Sequence, residues 1–121
     1  MKFRSGYEER IFADLTDKGL TAKFEPFKLS YLLEGKYLPD FELPNGILVE
    51  AKGFFDPRSR AKMIAVKKHN PELDIRMVFM NSSTKVRKGS DMTYADWCNR
   101  YGFKFADGMI PDEWFNEKER F

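Results

Sequence analysis

The sequence predicts an α/β fold, a mixed β-sheet flanked by helices, on three observations. Apolar runs of strand character flank Pro44-Asn45-Gly46, and Asn-Gly between such runs is the strongest short signal of a β-hairpin. Asp56-Pro57 opens a helical stretch set between two apolar strand-like segments, 47–52 and 75–80. That strand-helix-strand unit should carry its two strands parallel, joined by a right-handed crossover. An amphipathic helix with a capping serine precedes both.

In chain order, Ser5 caps a helix to about Lys18, where Gly19 supplies the residue that commonly ends one. Its apolar face is Ile11, Phe12 and Leu15. Phe27, Leu29, Tyr31 and Leu33 alternate as a strand should, and Glu34-Gly35 permits a turn after them, which predicts a strand over 27–33. Tyr37 to Leu43 and Ile47 to Lys52 form the arms of the hairpin, so Asp40 and Glu50 should lie near each other across it. The helix opened by Asp56-Pro57 runs to about Lys68, and Asn70-Pro71 terminates it. Ile75 to Met80 reads as a buried strand, and Asn81 to Ser90 as a polar, basic loop. Thr93 and Asp96 resemble the capping pair of a short helix ending at Gly102. Phe103 to Ala106 then reads as an edge strand and Asp112 to Asn116 as a last helical turn. The sequence contains no repeats, linkers or low-complexity segments, so residues 1–121 should form one domain.

A composition of 42% hydrophobic and 16% aromatic residues suffices for one packed core. No apolar run approaches the about 18 residues of a membrane span, and Met1-Lys2-Phe3-Arg4 lacks the apolar stretch of a signal peptide. A soluble cytoplasmic protein without membrane partners is expected. Cys98 is the only cysteine, which excludes an intrachain disulfide and a multi-cysteine metal site. The net charge of +2 conceals a separation: residues 58–88 hold nine Lys/Arg against Glu72 and Asp74, a local net of +7, leaving −5 elsewhere. Such a division suits a protein that grips a polyanion with one surface and holds cations with another, although a solvated helix face and a charged loop would produce it too.

The chemistry lies in Pro39-Asp40 and Glu50-Ala51-Lys52. Residues two apart on a strand share a face, so Glu50 and Lys52 project together, and Asp40 meets them from the paired strand. Two carboxylates, joined by the backbone carbonyl of Ala51, make an oxygen-rich site of the kind preferred by Mg2+ or Mn2+, with Lys52 beside it. A bound ion there acidifies water and stabilises charge on phosphorus oxygens, and Lys52 orients that water or neutralises the transition state, which fits phosphodiester hydrolysis. Taken alone, Glu50 and Lys52 could equally be a surface ion pair worth under about 1 kcal/mol. Glu8 strengthens the catalytic reading. At about 100° per residue it falls within roughly 60° of Ile11, Phe12 and Leu15, on the face that enters the core, where a carboxylate needs a cation or donors. The competing role for Glu8 is the S-x-x-E capping box begun by Ser5. Arg58, Arg60, Lys62, Lys85, Arg87 and Lys88 are the candidate DNA-binding cations, expected to meet phosphates rather than base edges. His69 at a helix end, Trp97, Trp114 and Cys98 read as structural.

The sequence also closely resembles the phage endonuclease I family of Holliday-junction resolvases, across nearly its whole length. The resemblance runs through Phe3-Arg4-Ser5-Gly6 with Glu8, Pro39-Asp40-Phe41, Leu43-Pro44-Asn45-Gly46-Ile47, Val49-Glu50, Lys52-Gly53 and Pro71-Glu72-Leu73-Asp74-Ile75-Arg76, then Lys88-Gly89-Ser90 and Lys104-Phe105-Ala106-Asp107. It implies a restriction-endonuclease-like PD-(D/E)xK core and a magnesium-dependent homodimer, with strand exchange, that cleaves branched DNA. The family's catalytic Glu, Asp, Glu and Lys fall on Glu8, Asp40, Glu50 and Lys52. A shorter segment between Phe24 and Asp40 departs from the family and favours an alternative, a sequence-tolerant or site-directed nicking endonuclease. A noncatalytic DNA-binding module is the alternative from another class, against which the intact set of four residues argues.

Overall fold

The first helix, α1 (Gly6–Asp17), begins where the Ser5 hydroxyl accepts the Glu8 N–H at 3.2 Å, and the chain leaves it through Lys18 and a left-handed Gly19. The buried residues of α1 are Tyr7, Glu8, Ile11 and Leu15, one helical stripe with a carboxylate inside it. The structure, a computed structural model, describes residues 3, 5–24, 29–31 and 35–118. Next come β1 (Lys23–Phe24), β2 (Leu29–Tyr31), β3 (Gly35–Tyr37), β4 (Phe41–Glu42) and β5 (Leu48–Lys52). They are followed by α2 (Pro57–His69), β6 (Ile75–Phe79), α3 (Tyr94–Tyr101), β7 (Phe105–Asp107) and α4 (Asp112–Phe115).

Five strands make a mixed sheet in the order β1-β4-β5-β6-β7. β4 is antiparallel to both β1 and β5, whereas β5, β6 and β7 run parallel. The α/β class and the parallel crossover through α2 are as the sequence predicts. Side chains alternate across the sheet and divide the core in two. Val49, Ala51 and Val78 pack with Tyr7, Ile11 and Leu15 of α1 and Trp114 of α4. Leu48, Met77 and Phe79 pack with Met63 and Val66 of α2 and with Trp97 and Cys98 of α3. Both tryptophans and the cysteine therefore belong to the core, as expected. Each large apolar side chain buried this way contributes about 1.5–3 kcal/mol.

Capping chemistry also sets the ends of α2 and α3. Asp56 accepts the Ser59 N–H at 2.8 Å ahead of Pro57, and Asn70 closes α2. Thr93 and Asp96 form a reciprocal capping box on α3, which ends at Gly102 with φ of 78°. The hairpin turn closes through the Leu43 N–H donating to the Ile47 carbonyl at 2.8 Å, with Gly46 at φ of 92°. Asn45 does more than turn the chain. It is buried, and its amide donates to the carbonyl of Trp114 at 2.6 Å.

The middle of the chain departs from expectation. The hairpin arm expected over Tyr37–Leu43 divides at Leu38-Pro39-Asp40, because Pro39 has no N–H for a ladder. Tyr37 instead ends β3, which pairs antiparallel with β2 as a separate two-stranded sheet. Of the strand expected over 27–33, residues 29–31 are β2, while 27, 28, 32 and 33 lie outside the described residues. Gly35 opens β3 instead of sitting in the turn. The two residues of β1 are too few to show alternation in sequence.

Arg76 lies within the strand that the sequence reads as buried. Counted by sequence with the basic block, it is fully buried in β6. Its guanidinium makes paired hydrogen bonds to Asp74, at 2.9 and 2.8 Å, and to Glu117, at 2.6 and 2.7 Å, and lies 5.2 Å from the centre of the Trp114 ring. With Asn45, it fastens α4 and the segment after it to the sheet. Among the described residues, no helix is long and apolar enough to cross a membrane.

Candidate active site

The register of β4 on β5 pairs Phe41 with Val49, which brings Asp40 and Glu50 opposite each other at the end of the hairpin. Asp40 is 1% exposed, and its Oδ2 accepts the Ala51 N–H at 2.9 Å, pinning the peptide between Glu50 and Lys52. Glu50 is 4% exposed. Its Oε2 accepts the hydroxyl of Tyr37 at 2.7 Å, and its Oε1 lies 3.7 Å from the Lys52 ammonium. A solvated surface ion pair would not have so buried a carboxylate, so that reading of Glu50 and Lys52 fails. The Lys52 side chain remains 27% exposed and reaches solvent beside the two acids. It also adds a minor pull to Asp56, whose carboxyl is held below its usual range first by hydrogen bonds from Ser59.

Glu8 is 5% exposed. It lies on the α1 side of the sheet, whereas alternation along β5 turns Glu50 away from Val49 and Ala51 toward the other side. Ser5 receives the backbone N–H of Glu8, as in the S-x-x-E pattern, and the Glu8 side chain itself is buried. The structure thus joins Asp40, Glu50, Ala51 and Lys52, while Glu8 is buried on the opposite face of the sheet, beneath α1. Among the described residues, no three His, Cys, Asp or Glu side chains form a ready metal-binding group.

The six candidate phosphate-binding cations separate. Arg58, Lys85, Arg87 and Lys88 are exposed. Arg60 is half-buried and donates to the carbonyls of Phe55, at 2.7 Å, and Val86, at 3.1 Å, so it braces the loop carrying Lys85 and Arg87 against α2. Lys62 is half-buried, its ammonium 5.6 Å from the centre of the Tyr37 ring. Lys52 pairs with Phe79 in the parallel ladder, so α2 and the loop from Asn81 leave the same end of the sheet as the acids. The carboxyl ends of parallel strands are where open α/β sheets receive ligands. Tyr37 is a member of this site that sequence reasoning misses. Its only signal is a tyrosine three residues before Asp40.

The family model described as phage endonuclease I matches residues 1–121. Endonuclease I of Escherichia phage T7 is 43% identical over 121 residues, spanning 98% of this chain and 81% of that relative. Endodeoxyribonuclease 1 of Enterobacteria phage T3 is 42% identical over 112 residues, spanning 90% of this chain and 74% of the relative.

Proposed function

This chain belongs to the phage endonuclease I family, and from that premise we propose that it is a DNA endonuclease that resolves four-way junctions as a magnesium-dependent homodimer in the cytoplasm of the phage host. Its core is then of the restriction-endonuclease-like PD-(D/E)xK type. The observation that carries the reading is the pair Asp40 and Glu50, buried together at the mouth of the sheet with Lys52 at their side.

The donor set fits a divalent cation. Buried carboxylates require a compensating charge or hydrogen bonds, and Mg2+ commonly takes one or two carboxylates and completes its shell with water and phosphate oxygens. Asp40, Glu50 and the Ala51 carbonyl would hold it, with Glu8 contributing from α1. When bound, such an ion lowers the pKa of water and draws charge from phosphate oxygens. In hydrolysis the water oxygen forms a bond to phosphorus while the bond to the leaving sugar oxygen breaks and that oxygen takes up a proton. Lys52 places its ammonium where the phosphorane charge develops, and its partial exposure lets a backbone phosphate reach it. Arg58, Lys85, Arg87 and Lys88 hold the flanking phosphates, while Arg60 and Lys62 support them from within the fold.

The test compares cleavage of a four-way junction with that of a linear duplex of the same sequence, with Mg2+ and with EDTA. Faster cutting of the junction, abolished by EDTA and reduced at least about 10²–10³-fold by Glu50→Gln or Lys52→Ala, is expected. Equal cutting of both substrates would make the protein the nicking enzyme instead. DNA binding without cleavage would make it a binding module.

A further inference from the structure

Tyr37 is fully buried, and its hydroxyl donates to Glu50 at 2.7 Å. That bond joins two separate sheets. Tyr37 is the last residue of β3 and pairs with Leu29, whereas Glu50 belongs to β5 of the five-stranded sheet. Its ring packs in the cluster that contains Leu48 and Met63. With the ring held by packing and the hydroxyl held by Oε2, the Glu50 carboxylate is fixed with Oε1 turned toward Lys52.

We infer that Tyr37 is a positioning residue for the cation site: its hydroxyl orients Glu50, and its place in β3 makes that orientation depend on the β2–β3 hairpin. The inference rests on Glu50 being a cation ligand. Hydrogen bonds from outside a metal's ligand set commonly account for a factor of 10–100 in its affinity, because they hold the donor atom in the direction the ion requires. A phenol is suited to this task. It donates a single directional bond to an anionic acceptor. The hairpin side of the inference follows from the register. Anything that shifts β3 relative to β5 lengthens or bends the bond from Tyr37, and with it turns the carboxylate.

The probe is Mn2+ alone, without DNA, followed by electron paramagnetic resonance. Tyr37→Phe should bind Mn2+ about 10-fold or more weakly than the wild type and retain its far-ultraviolet circular dichroism. Glu50→Gln serves as the reference for losing the ligand itself. If Tyr37→Phe binds Mn2+ as the wild type does while Glu50→Gln has lost it, the inference is overturned and the cation site stands. If Glu50→Gln also binds normally, both readings fall. For the hairpin, Ser30→Pro sets a proline at the middle residue of β2, opposite Lys36, and disturbs its pairing with β3. It should weaken Mn2+ in the wild-type background and have little further effect on top of Tyr37→Phe; equal losses in both backgrounds would exclude coupling through Tyr37. Should Tyr37→Phe fail to fold, 3-fluorotyrosine at position 37 replaces it. Its fluorine resonance should move on adding Mg2+ to the wild type and stay still in Glu50→Gln, and an unmoved resonance in the wild type would overturn the inference.

Discussion

Burial separates charged residues that hold this fold from those left at its surface, and Arg76 is the clearest instance of the first kind. Removing it would take the guanidinium from Glu117 and two hydrogen bonds from Asp74, so Arg76→Ala should cost about 2–4 kcal/mol in urea unfolding. That is below the range for a wholly buried pair because the Glu117 side chain is 36% exposed. The same ion pair sets a pH dependence. The Arg76 guanidinium holds the Glu117 carboxyl below its usual value, so its stabilisation is complete above an ordinary glutamate pKa of about 4.3. It is lost as pH falls from there through the lowered folded value. Glu117→Gln should therefore flatten the acid limb of the stability profile below about pH 4.3, measured by thermal unfolding across pH. Sequence could not foresee this. The strand around Arg76 reads as buried, but nothing local names Glu117, 41 positions away, as its partner. Glu8 was legible because helical periodicity alone places it on the inward stripe of α1.

At the level of elements, what was legible was local. Ser5, Asp56-Pro57, Thr93 with Asp96, and Asn45-Gly46 each carry their own capping or turning chemistry, and each marks the boundary it was expected to mark. β3 was not legible as a separate strand, since its partner is β2 and nothing local distinguishes Tyr37 from the start of the β4–β5 hairpin. The loop 81–90 shows the same limit. Its charge was plain in sequence, but the bracing of Val86 by Arg60 depends on the fold. A division of labour follows. Neutralising Lys85, Arg87 and Lys88 should lower the slope of log affinity against log salt by about 0.9 for each phosphate these side chains neutralise, with stability unchanged within about 0.5 kcal/mol. Arg60→Ala should instead destabilise the protein by about 1–3 kcal/mol. Filter binding at several salt concentrations and urea melts would check both. Unchanged DNA affinity in the triple variant would remove the loop from the interface.

For the molecule as a whole, paired cuts on a branch call for two equivalent sites related by a twofold axis. Light scattering is expected to show a dimer at micromolar concentration, free or on junction DNA; a monomer in both states would leave only nicking. The described part of the segment between Phe24 and Leu38 forms the antiparallel pair β2 and β3. The chain is also prepared for measuring that assembly. Cys98 is its single sulfur nucleophile, and burial between α3 and the sheet pushes the thiol up to about 12. Maleimide and methanethiosulfonate reagents at neutral pH would pass it by. A cysteine introduced at exposed Ser83 would then be the one addressable position in each protomer. A nitroxide there would turn the two basic loops into a molecular ruler, reporting how far apart they stand before and after a junction arrives.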